Sequence, residues 1–255
     1  MTQTDKNKIR IGFFSFTEIT DPGEHHSYNE WHQLDHMPEQ YPLDGIAYGQ
    51  RWVSTPGCRS ARAVSESPLD SIHYMTLYLM TAPVERTLRE FMQLGRDLHA
   101  VGRFHLHRRA QLSGPFGLRS AAVSERVLIS PEAVPYRPNL GVYVEVDELD
   151  EVEEVEQGEA RRSGGGPSDP ILTDDALIDA HLDALCAEPG VAGAWSFADG
   201  KRRVTVTWLD APPLEIVSRL DPIGARRRVD SSGSALFAGP LEAITPWQWT
   251  WFDSE

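Results

Sequence analysis

Residues 25–39 read His-His-Ser-Tyr-Asn-Glu-Trp-His-Gln-Leu-Asp-His-Met-Pro-Glu. They hold four of the chain's nine histidines within twelve residues. On a helix, His25, Asn29, His32 and His36 recur at spacings of four, three and four and share one face. Trp31, Leu34 and Asp35 lie on the adjoining face, so a polar stripe runs beside an aromatic one, as in a pocket wall. Imidazole titrates near neutral pH and exchanges protons readily in a dry pocket. Asp35 or Glu39 could orient such a histidine or hold it charged. Tyr28, Trp31, Tyr48 and Trp52 could supply an aromatic wall. Tyr74 and Tyr78 share one face of a strand and could donate to a developing oxyanion. Ordinary core packing competes for each aromatic, and a solvent-facing stripe competes for His25 and His26.

The same histidines admit a metal. His32-x-x-Asp35-His36 is close to the His-x-x-Glu-His zinc signature, but aspartate is too short to place a general base as glutamate does. Two histidines at i and i+4 still hold an ion if strands bring further ligands. His105 and His107 share one face of a strand, and His73 lies on another, so the alternative ligand set is His32, His36, His105 and His107. Other chemistries lack support. The chain has no Gly-x-Gly-x-x-Gly after a strand, no Walker loop and no Gly-x-Ser-x-Gly. Cys58 and Cys186 sit in no nucleophile signature.

The elements that must position these residues occur twice. Residues 9–19 read as a strand buried on both faces, 25–40 as a helix ending near Pro38, and 46–54 and 71–81 as strands. Val84, Leu88, Phe91 and Leu98 recur at helical spacing behind Pro83, and 104–112 alternate as a fourth strand. A Ser-, Pro- and Gly-rich connection spans 113–138, with a short strand at Arg126 to Ile129. The order then repeats: strand 139–147, helix 174–187 with Ile178, Leu182 and Leu185 on one stripe, a strand entered through Pro189-Gly190, strand 202–209, a helix after Pro212, and a last strand within 235–252. Asp44-Gly45 and Pro189-Gly190 enter corresponding strands, and Pro83 and Pro212 open corresponding helices. The reading is two units, 1–122 and 123–255, with an acidic and glycine-rich insertion at 150–170. Residues 145–159 carry nine acidic side chains and no basic one, and read as a solvated, mobile loop.

A βαββαβ unit makes a four-stranded antiparallel sheet with two helices on one face, leaving the other face bare. Two units in one chain can close those bare faces on each other as an intramolecular barrel. Pockets are then expected between each sheet and its own helices. With 255 residues, 40% hydrophobic and 24% charged, the chain is an ordinary globular one. A net charge of -14 disfavours nucleic acid and anionic membrane surfaces as partners. No stretch long enough for a membrane span occurs, and two isolated cysteines suit a cytoplasmic location. The expected partner is a small molecule, and the protein is a monomer or homodimer.

The stretch Tyr28-Asn29-Glu30-Trp31-His32, then Asp35-His36-Met37-Pro38-Glu39, then Asp44-Gly45-Ile46-Ala47-Tyr48-Gly49-Gln50-Arg51-Trp52 resembles the EthD-like group of dimeric α+β barrel proteins. The resemblance is specific over about residues 11–54. It implies an α+β fold of tandem ferredoxin-like repeats and a small, largely apolar, aromatic or polyketide-like substrate of secondary metabolism. Relatives with this barrel include cyclases, dehydratases, isomerases, decarboxylases and cofactor-free monooxygenases, and some larger ones bind haem. Asn29, Trp31 and His36 match the recurrent motif positions, which makes His36 the expected acid/base, assisted by His32 or Asp35. The expected activity is therefore a cofactor-independent lyase, cyclase or isomerase. Its expected substrate contacts are Tyr28, Asn29, Trp31, Tyr48, Trp52, Tyr74 and Tyr78. The alternatives are an oxidoreductase with a divalent metal or haem on His32 and His36, and a non-catalytic binding protein. The second unit offers only His181 in place of the motif, so one working site per chain is expected, in the first unit.

Overall fold

Apolar residues on both faces of a strand require cover on both sides, and the computed structural model supplies it. It describes residues 7–149, 174–230 and 233–253. In β1 (Ile9–Ile19), Phe14 and Phe16 are fully buried in one cluster, while Ile11 and Phe13 pack in another with Tyr78 and Phe91. The first repeat continues with α1 (His25–Glu30), a π-helical segment (Trp31–His36), α2 (Met37–Gln40), β2 (Ile46–Val53), α3 (Pro56–Ser60), the short β3 (Val64–Ser65), β4 (Tyr74–Thr81), α4 (Val84–Ala100) and β5 (Arg108–Val123). The second comprises β6 (Gly141–Glu148), α5 (Asp174–Cys186), β7 (Val191–Ala198), β8 (Arg202–Leu209), α6 (Pro213–Asp230) and β9 (Ser234–Ala243).

The strands run in the order β2-β4-β1-β5-β7-β8-β6-β9, and β9 pairs back onto β2 through Trp52↔Ala243 and Val53↔Glu242. Each repeat keeps the ferredoxin-like order, second-third-first-fourth strand, and the seams are β5–β7 and β9–β2. Closure removes the open edges that would otherwise invite aggregation. The bare faces meet inside. Phe14, Trp52, Leu77, Phe116, Val144, Trp195, Phe197 and Trp208 form one cluster from both repeats. Each such side chain contributes about 1.5–3 kcal/mol by leaving water. Gly12 is glycine because a Cβ there would come within 2.9 Å of both Leu77 and Phe14.

Most expected elements are present, with Ile178, Leu182 and Leu185 buried on α5. Three expectations are corrected. Residues 113–123 are not a connection; they continue β5, and their Ser, Gly and Pro residues are held extended by pairing with β1 and β7. Residues 126–129 form no strand and lie in the bends leading to Pro131. The acidic run does not begin as a solvated loop, because Glu145 and Asp147 are buried on β6 at 1% and 6% exposure. The remainder of that insertion, from residue 150 to 173, lies outside the described residues. Among the described residues, no helix is long and apolar enough to cross a membrane.

Candidate active site

The first helix is not regular. Asp21 caps its 3-10 entry by accepting a hydrogen bond from the Gly23 N–H, and residues 31–36 widen into a π-helix before α2. Such segments are rare and concentrate at functional sites. His32 and His36 both lie on this widened turn, their rings edge to face with 5.2 Å between centroids. Both line a cavity of about 400 Å³ between the outer face of the first sheet and α4, within the ~300–1,000 Å³ range of small-molecule sites. Phe13 and Ser15 of β1 and Thr76 and Tyr78 of β4 form its floor. Phe91, Met92, Gly95, Arg96 and His99 of α4 form one wall, and Phe104 and Arg108 another. None of the lining residues is acidic.

The His32 Nε2 lies 3.4 Å from the Thr76 hydroxyl. The His36 ring stacks on Trp31 with 4.6 Å between centroids and 20° between planes. His32 Nδ1, His36 Nδ1 and the Tyr78 hydroxyl are buried without a hydrogen-bond partner in the protein. Burial, followed by Arg51, His36 and Arg108, holds His32 well below the usual imidazole range. Burial, then Arg108 and Arg51, lowers His36 to about 4. Both rings are therefore neutral at pH 7, able to accept a proton or to donate one N–H.

Behind them lies an ordered polar network. Arg51 is 2% exposed, and its Nη2 donates to Asn29 Oδ1 at 2.9 Å. That bond fixes the amide, so Asn29 Nδ2 donates to the Tyr74 hydroxyl at 2.8 Å. Tyr74 in turn donates to His25 Nδ1, also at 2.8 Å, which must be unprotonated there. Burial, with Arg59, lowers His25 to about 4, in keeping with that direction. Arg51 also lies over the Tyr28 and Tyr74 rings, at 5.2 and 5.6 Å, a cation–π arrangement.

Of the expected site residues, His32, His36 and Tyr78 line the cavity, and Trp31 backs His36. Tyr28, Asn29 and Tyr74 form the supporting layer. Tyr48 and Trp52 do not line this cavity. They alternate with Arg51 along β2, so they face the barrel interior, where Trp52 donates to Asn139. Asp35 is exposed and pairs with neither histidine, and Glu39 is paired with Arg103 at the surface. Among the described residues, no carboxylate therefore orients His32 or His36. His25 is buried rather than solvent-facing. Arg51, Arg96, Arg108, Phe91, His99 and Phe104 were not foreseen as site residues. Only Arg51 carried a signal, as part of the motif stretch.

The four-histidine ligand set is not assembled. His105 bonds Ser27 and faces Glu24 instead. Among the described residues, the one group of three or more potential ligands with mutually close donor atoms is Asp21, Glu24 and His107, at the surface. Two guanidinium groups, Arg51 and Arg108, act on His32 and His36 with no carboxylate among the described lining residues to offset them, and this donor set does not fit a divalent cation.

The second repeat fills the corresponding layer. The β1–β4 pair Ser15↔Thr76 corresponds to the β6–β8 pair Glu145↔Thr205. The Glu145 carboxylate lies 2.6 Å from His181 Nε2 and 3.5 Å from Arg227 Nη2, and Arg227 also bonds Asp147 at 2.7 Å. Tyr143 donates to Asp221 at 2.8 Å. In this layer buried carboxylates meet buried cations within the protein itself.

No protein-family model matches this sequence, and no curated protein matches it. Among solved structures, the fold is similar to that of a putative monooxygenase from Fusobacterium nucleatum, with a TM-score of 0.51, 9% identity and 94% of each chain covered. A chlorite dismutase variant from Candidatus Nitrospira defluvii matches with a TM-score of 0.49, 13% identity and 94% and 93% of the two chains covered. A heme-binding protein from Thermus thermophilus matches with a TM-score of 0.48, 14% identity and 93% and 92% covered. At such identities the likeness is one of fold, and the chain is a dimeric α+β barrel folded within a single polypeptide.

Proposed function

We propose that the first repeat is a cofactor-independent enzyme for a small, largely apolar substrate of aromatic or polyketide-like type. Its chemistry is proton transfer of the kind used in dehydration, isomerisation, cyclisation or decarboxylation. The observation that carries this is the neutral, unpartnered His36 imidazole in the wall of an apolar cavity. His36 accepts a proton from an acidified C–H or O–H of the substrate and returns it after the bond change. His32 and the Tyr78 hydroxyl donate to the oxygen on which charge develops. The motif over residues 11–54 supports an EthD-like kinship for this repeat. The test is carbon-bound hydrogen exchange with solvent, followed by NMR over a set of small phenols and β-diketones. Exchange that is retained undiminished in both His36→Ala and His32→Ala sinks the proposal.

The second reading is a haem protein, favoured by the same imidazole standing near two arginines. His36, Arg96 and Arg108, which line the cavity, would hold the haem. Bound there, haem would supply redox chemistry. Titration of the protein with haemin separates the two: acid/base function expects no Soret shift that depends on His36. A stoichiometric shift abolished by His36→Ala would move the assignment to haem.

A further inference from the structure

The two repeats solve the same layer differently. In the second, the buried Arg227 is held by the Glu145 and Asp147 carboxylates. In the first, Arg108 stacks on Phe104 at 4.7 Å and near Trp31 at 5.8 Å, and its guanidinium has no hydrogen-bond or ion-pair partner among the described residues. Arg51 is more deeply buried and bonds only the neutral Asn29, leaving Nε and Nη1 unpartnered. Cations removed from water are costly unless a negative group meets them.

The glycines on the covering helices show where that negative group belongs. Gly95 lies twelve residues after Pro83, and Gly224 lies twelve after Pro212. A Cβ on Gly224 would come within 2.5 Å of Glu145 Oε1, whereas a Cβ on Gly95 would meet nothing within 4 Å. The space taken by the Glu145 carboxylate in the second repeat is open cavity in the first, where Ser15 stands at the matching strand position. The first cavity thus has the cations and the room, and lacks the acid.

We infer that the ligand of the first cavity is an anion, a carboxylate or enolate on an apolar aromatic body, whose charged group sits against Arg108 in the place that Glu145 holds in the second repeat. Phe13, Phe91 and Phe104 enclose the body. The inference rests on the same cavity being the working site, but not on His36 acting as a base. An aromatic acid that binds there unreacted upholds it, even if His36→Ala proves kinetically silent.

The experiment is calorimetric titration of the full chain with 2-naphthoate and with its neutral isostere 2-naphthamide. The carboxylate is expected to bind tighter by about tenfold or more, the effect of one charge-assisted hydrogen bond in a desolvated site. Arg108→Gln is expected to erase that preference. Ser15→Glu, which builds the missing acid into the strand, is expected to weaken 2-naphthoate by about tenfold without touching an arginine. It keeps the test decisive if Arg108→Gln fails to fold. Equal affinity for the two compounds, failure of both to bind at millimolar concentration, or a preference that survives both substitutions overturns the inference. Sulfate binding the cavity as tightly as 2-naphthoate overturns the aromatic part.

Discussion

Replacing His36 with alanine is expected to lower kcat on the substrate by about 10²–10⁴-fold, the span ascribed to a positioned acid/base group. The neighbouring groups do not compensate. His32 is engaged with Thr76, and Asp35 is exposed and unpaired with either ring. Because His36 stacks on Trp31 rather than anchoring the fold, the loss is expected in kcat with little change in Tm. The pH dependence carries the same assignment. The active form is the neutral imidazole, so kcat/KM should be level near neutrality and fall as pH drops through about 4, the value set by burial and the two arginines. An anionic substrate beside Arg108 would offset part of that positive field. The fall in kcat, which reports the bound state, should then begin at higher pH than the fall in kcat/KM.

Glu145→Ala is expected to destabilise the protein by about 3–5 kcal/mol, the cost of breaking a buried pair and leaving its partners charged in a dry layer. Three cationic or protonatable side chains, His181, Arg227 and Arg228, lose their shared carboxylate at once. Urea unfolding at neutral pH measures the loss, and a change within error of zero would show that water already reaches this layer. Burial pushes the Glu145 carboxyl up, but His181, Arg227 and Arg228 outweigh it and hold it down at about 2. A carboxyl depressed on folding stabilises the fold fully above its unfolded value and ceases to do so as pH falls through its folded one. Acid should therefore erode the wild type between the ordinary carboxylate range and about pH 2, and Glu145→Ala should lack that component. The buried neutral histidines act over a higher window that overlaps it at its acid end. His25 and His36, lowered to about 4, and His73, lowered to about 3, withdraw stability as pH falls below the ordinary imidazole value.

The repeat and the barrel were legible because they rest on local signals: apolar strands, helices opened at Pro83 and Pro212, and turns at Gly45 and Gly190. The His32–His36 pair was legible for the same reason, since i and i+4 neighbours meet on any helix. What escaped depends on contacts distant in sequence. Arg108 and Phe104 reach the site only because β5 pairs with β1, and Arg51 is directed to it by strand alternation that turns Trp52 away. The strand at 113–123 hides behind Gly and Pro because its extended form is imposed by two partner strands rather than by propensity. The strand at 139–147 was legible from Val142, Val144 and Val146 at period two, but the acidic run counted from residue 145 overlaps its end, and the burial of Glu145 and Asp147 was not legible. Nothing in the sequence announced that Arg227, roughly eighty residues on from Asp147, would bury them. The π-helical turn has no compositional mark.

The proposed function places the work in one cavity per chain, that of the first repeat. NMR of the protein labelled at its histidine ring nitrogens, titrated with 2-naphthoate, addresses it residue by residue. The expected result is movement of the His32, His36 and His99 signals, with the His36 titration rising from about 4 toward the ordinary imidazole value and His181 unchanged. Movement of His181 with the first-repeat histidines still would place the working site in the other half of the barrel and contradict the claim.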